Sequence, residues 1–159
     1  MEPWLSGSVP HPDPILRALL HSFEQVRQDL AKWTAGIADS RVWESAGGVA
    51  PLGFQLRHIA GSVDRLTTYA LGRQLNEEQL AALRSEHEPG ATLAELLRDI
   101  DQTLARSGAA LAELTDYAEP RFVGRKRLPT TVGGLLVHIA EHTQRHLGEA
   151  IVTCKLLKE

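Results

Sequence analysis

The chain has 159 residues, a length that suits one domain with one core, and its 43% hydrophobic and 23% charged content is ordinary for a globular protein. The formal charge is −3 and the longest basic run is Arg125-Lys126-Arg127, which argues against a nucleic-acid partner. No apolar run approaches the roughly 20 residues that a membrane helix needs, and the N-terminus lacks the apolar core of a secretory signal.

Residues 1–12 are rich in proline and glycine and are expected to form an irregular arm. Asp13-Pro14 then reads as an N-cap followed by proline at the first helical position. Ile15, Leu19, Phe23, Val26, Leu30 and Trp33 recur at three- and four-residue steps, predicting a helix over about 14–35. Residues 36–50, with Asp39-Ser40 and Gly47-Gly48, read as a loop. Pro51 opens a second helix, whose stripe of Leu52, Leu56, Ile59, Val63, Leu66 and Ala70 ends at Gly72. Asn76 with Gln79 forms the capping box of a short helix that stops near Pro89-Gly90. Thr92 with Glu95 forms another, ahead of a third long helix over about 92–115, weakened locally by Gly108. Residues 116–129 contain Pro120, Gly124 and Pro129 and read as a second long loop. Thr130 or Thr131 caps the last helix, which runs to about residue 157.

No strand pattern emerges. Four long helices and one short one predict a single all-α domain over residues 1–159, a four-helix bundle with long connecting loops. Those long loops allow at least one connection to cross over rather than turn tightly. The single cysteine, Cys154, excludes an internal disulfide and fits a cytoplasmic protein; its place in an apolar stripe reads as a buried small residue.

Three of the seven histidines fall in the stretch HIAEHTQRHLGE, residues 138–149, at intervals of four. Side chains four apart on a helix project the same way, offset by about 40°, so two imidazoles can meet one ion. Against the stripe of Val132, Leu136, Ile139, Ala150, Cys154 and Leu157, His146 lies nearest the apolar face, His142 at its margin and His138 farthest out. The wheel therefore favours His142 with His146 as a metal grip. Neutral imidazole suits zinc, nickel, iron or copper. A third ligand must come from another helix. His58, on the second helix, is the leading candidate, although it sits roughly 120° from that helix's own stripe; His11 and His21 are rivals, and His87 reads as solvated. The stretch also matches the inverted zinc-protease pattern H-x-x-E-H. That chemistry needs a further carboxylate ligand well downstream, and only residues 143–159 follow. A di-iron site would need paired Glu-x-x-His segments, which are lacking.

Two segments carry a resemblance: Leu56-Arg57-His58-Ile59-Ala60 with Asp64-Arg65, and the run from Thr131 through His138, His142 and His146 to Glu149. Together they resemble the DinB/YfiT-like family of metal-dependent helical bundles across nearly the whole chain. The resemblance implies that His58, His142 and His146 form a metal triad, with His138 an accessory histidine one turn earlier. The chain departs from the family at Leu147, where arginine is frequent, and at Glu149, where glutamine is frequent. The implied cofactors are a divalent transition metal (zinc, nickel or iron) and a low-molecular-weight thiol. The implied activity is transfer of that thiol to a small electrophilic substrate by a homodimer, with Arg57 and Arg65 as candidates for orienting an anionic cofactor. The alternatives are a non-catalytic metal-binding stress-response bundle and a metal-dependent hydrolase with Glu141 as base.

Overall fold

The computed structural model describes residues 1–7 and 9–159. Among the described residues, six α-helices, one 3-10 turn and one hairpin follow in chain order: α1 Pro3–Ser6, α2 Pro14–Thr34, the 3-10 turn Asp39–Arg41, α3 Leu52–Ala70, α4 Glu77–Arg84, α5 Leu93–Leu111, β1 Pro120–Val123, β2 Leu128–Thr131 and α6 Val132–Leu156. The helix starts are set by local chemistry. The Asp13 carboxylate accepts from the Ile15 and Leu16 amides ahead of α2. Reciprocal capping boxes open α4 (Asn76 and Gln79) and α5 (Thr92 and Glu95), and Thr131 Oγ1 accepts from the Gly134 amide to start α6.

The bundle consists of α2, α3, α5 and α6. Helix α3 packs against α6 and α5, and α2 packs against the same two partners. Successive helices α2 and α3 are therefore diagonal, as are α5 and α6. This is why the connections at 35–51 and 112–131 are long: each spans an end of the bundle instead of turning back to a neighbour. The core draws Leu16, Leu19, Phe23, Val26 and Leu30 from α2, and Leu52, Leu56, Ile59 and Val63 from α3. Leu96, Ile100 and Leu104 join from α5, and Leu136, Ile139, Leu147, Ala150 and Cys154 from α6. Close approach is built in at two glycines. A Cβ on Gly108 would meet Leu20 Cδ2 of α2 at 3.1 Å, and one on Gly53 would lie 2.5 Å from the Trp43 ring.

Two expectations are corrected. Residues 3–6 of the supposedly irregular arm form a helical turn, closed by Gly7 in the left-handed region at φ 64°. The second loop contains an antiparallel hairpin pairing Pro120 with Thr131 and Val123 with Leu128. Its strands escaped the hydrophobic pattern because the inward-facing residue is charged. Arg121 is 7% exposed, donates from Nε to the Ala70 carbonyl at 2.7 Å and pairs with Glu119. A four-residue strand anchored by an arginine carries no apolar alternation.

Candidate metal centre

The α3–α6 interface, the most extensive helix pairing, brings together His58 from α3 and His142 and His146 from α6. One ring nitrogen from each lies within 4.8 Å of the others. Ring centroids are 4.3 Å apart for His58–His146 and 4.6 Å for His142–His146. The Nε2 atoms of His58 and His142 face each other at 3.1 Å. Ligands on a tetrahedral ion at zinc–nitrogen distances of 2.0–2.1 Å are separated by roughly 3.3 Å, so this spacing fits.

The outer nitrogens are tied down. His58 Nδ1 is 2.7 Å from Glu86 Oε2. An ionised carboxylate only accepts, so His58 donates from Nδ1 and keeps a lone pair on Nε2. His146 Nδ1 donates to Gln55 Oε1 at 2.8 Å, and the Gln55 amide is oriented by donating from Nε2 to Glu149 Oε2 at 2.7 Å. His146 thus also has Nε2 free. His142 differs: its Nδ1 is buried with no hydrogen-bond partner. Burial, then the neighbouring His146 and His58, pushes the His142 imidazole down to about 4. Burial and His58 also lower His146. Both imidazoles are neutral near pH 7, the form that ligates metal.

Glu86 is buried at 4% exposure. Burial pushes its carboxyl up, but the His58 hydrogen bond and the Arg65 guanidinium outweigh this and hold it below its ordinary value. Arg65 Nη1 lies 2.7 Å from Glu86 Oε1, so the guanidinium balances the charge of the carboxylate on the side away from His58. Gly61 makes room for both groups: a Cβ there would lie 2.6 Å from Arg65 Nη1 and 2.7 Å from Glu86 Oε1.

Of the other candidates, His138 stands at the rim of the cluster, its ring centroid 5.3 Å from that of His142, and the rest lie elsewhere. His138 is exposed and bonds Glu141 at 2.7 Å, and the second Glu141 oxygen pairs with Arg145 at 2.5 Å. His11 accepts from the Asp13 amide, His21 is buried on α2, and His87 stacks on Phe54 with centroids 4.0 Å apart. Arg57 donates to the Ser85 and Glu88 carbonyls. Two clefts flank the histidines. One of about 280 Å³ is lined by His58, His138 and His142 together with Arg65, Ser62 and the apolar Leu66, Tyr69, Leu75 and Leu83. The other, of about 560 Å³, lies beside Gln55, Arg145, Gly148 and Glu149.

A family model described as the DinB superfamily matches residues 22–150. The chain belongs to the DinB superfamily. A search of curated proteins found no match. The matched span of this DinB chain includes all three clustered histidines and the four bundle helices except the first residues of α2 and the last of α6. Glu86 and Gln55, which engage the outer nitrogens, escaped sequence reasoning. Glu86 sits beyond α4, with no spacing that ties it to His58. Glu149, three residues after His146 on the same helix face, was the one readable pointer to the Gln55 contact. Among the described residues no helix is long and apolar enough to cross a membrane.

Proposed function

We propose that this DinB protein holds a divalent transition ion (zinc, nickel or iron) on His58, His142 and His146, and transfers a low-molecular-weight thiol to an electrophilic carbon. The observation that supports the metal reading is the 3.1 Å approach of two Nε2 atoms, in a cluster whose outer nitrogens on His58 and His146 are already engaged. The thiol reading rests on the family resemblance. When bound, such an ion supplies Lewis acidity that lowers the pKa of a thiol or water toward neutrality. The chain's own residues do the rest. Leu66, Leu75 and Tyr69 wall the smaller cleft and suit the apolar body of an electrophile. Arg145 offers an exposed cation at the larger cleft for an anionic thiol compound. Arg57 is held by the 85–88 turn and Arg65 by a buried pair with Glu86, whereas the Arg145–Glu141 pair is solvent-exposed and weaker, so in our reading Arg145 is the arginine freest to orient the cofactor.

The hydrolase reading needs a base at the cluster. Both Glu141 oxygens are committed to His138 and Arg145 on the exposed side, which weighs against it. We also propose a cytoplasmic homodimer, in line with the resemblance. Exposed Ile15 and Val137 beside an apolar groove between α2 and α6 support it, and light scattering that gives a monomer mass would overturn it. The function itself is tested in two steps. Protein dialysed against zinc or nickel should retain one ion per chain, lost in each of His58→Ala, His142→Ala and His146→Ala. Consumption of monochlorobimane should then require an added thiol. No bound ion sinks the metal site, and equal turnover without thiol sinks the transfer.

A further inference from the structure

Phe54, Arg57, His58, Gly61 and Arg65 follow one another along α3 at helical spacing and share a face. All five meet the turn after α4. Phe54 stacks on His87, Arg57 donates to the Ser85 and Glu88 carbonyls, His58 and Arg65 engage Glu86, and Gly61 leaves the space the carboxylate occupies. This explains why His58 lies off the apolar stripe of its helix: it faces this turn and α6, not the core.

The turn is already held by Arg57 and by the Phe54–His87 stack. A carboxylate buried to this degree costs free energy unless it is paired, and an apolar side chain would close the turn as well. What Glu86 adds is directed at His58. We propose that Glu86 is a positioning residue that acts through His58, fixing its proton on Nδ1 and its lone pair on Nε2 toward His142 before any ion arrives. Arg65 Nη1 sits 2.7 Å from the other carboxylate oxygen, and the missing side chain at Gly61 lets the pair sit against α3. Gln55 performs the matching task for His146 with a neutral amide, so the two ligands are tuned differently. The effect on His58 stands by itself; the effect on ion affinity rests on the metal-site reading.

The test uses the full ¹⁵N-labelled chain, metal-free and at mildly alkaline pH, with the histidine tautomers read from multiple-bond ¹⁵N–¹H spectra. His58 should be in the Nδ1–H form. Glu86→Gln should keep it, because the amide oxygen still accepts, whereas Glu86→Ala should shift it toward the Nε2–H form that free imidazole prefers. Zinc affinity by chelator competition should fall about 10–100-fold in Glu86→Ala, with Glu86→Gln between that and the wild type. Gly61→Ala favours the helix but puts a methyl where the Arg65–Glu86 pair sits, so zinc affinity should fall several-fold while thermal stability holds. A folded Glu86→Ala protein that keeps the Nδ1–H form overturns the proposal, as does an affinity loss that only follows lost stability. If the wild type binds no zinc yet the tautomer follows Glu86, the metal reading falls and the positioning role stands.

Discussion

His142→Ala should have very different consequences with and without an ion. In the metal-free protein the His142 ring carries a buried Nδ1 with no partner, at a cost of about 1–3 kcal/mol. Alanine removes that penalty but loses the packing of a half-buried ring and the 3.1 Å contact with His58 Nε2, so the net metal-free cost should be about 1–2 kcal/mol. With zinc at 100 times the wild-type Kd, the wild type gains about 2.7 kcal/mol. For a chain of this size that raises Tm by about 5–11 °C. Structural zinc binding of about 10–16 kcal/mol over four ligands makes one imidazole worth roughly 3 kcal/mol, more than 100-fold in affinity. The variant should therefore gain almost nothing at the same zinc concentration. Calorimetry or fluorescence-monitored melting, with chelator and with zinc, measures both differences. Equal zinc stabilisation of the two proteins would refute the ligand assignment. A metal-free loss above about 3 kcal/mol would refute the account of the orphaned nitrogen.

Three further outcomes follow from the same geometry. Because the folded pKa of His142 lies at about 4, below its ordinary value of 6.5, the unfolded chain binds more protons between those values. Metal-free stability should thus be full above about pH 6.5 and decline toward pH 4, by about 1–2 kcal/mol from this group after solvent screening; denaturant melts across that range check it, and His142→Ala should flatten the decline. Gly53→Ala would force the Trp43 ring, 2.5 Å from the new Cβ, off its bond to the Ala91 carbonyl. Overpacking and the lost bond exceed the gain in helix propensity, and urea titration should show a net loss of about 1–3 kcal/mol. Thr131→Ala removes the α6 cap and should cost about 1 kcal/mol in the same titration, without altering zinc affinity.

The four bundle helices, the short helix and both capping boxes were legible in the sequence, because helical periodicity and capping are local and each residue involved lies within a turn or two of its partner. The same locality made His142 and His146 readable as a pair and ranked His138 as the exposed member of the three. The hairpin was invisible: its inward residue is Arg121, whose partners, the Ala70 carbonyl and the Glu119 carboxylate, are backbone and charge rather than an apolar pattern. His58 illustrates the boundary. Its place on the second helix made it the leading third ligand and the resemblance agreed, yet its own helix wheel argued against it, since a wheel measures distance from an apolar stripe and cannot see a polar turn docking on another face.

The sequence alone determined the four bundle helices and the short α4, their starts and the paired imidazoles of α6, since each depends on contacts a few residues apart. Tertiary structure alone decided that α2 and α3 lie diagonally, that α3 delivers His58 to α6, and that Glu86 and Gln55 set which nitrogen of each ring is free. Those contacts join residues 28, 84 and 91 positions apart. No local propensity specifies such pairs; only the packing of the closed bundle does.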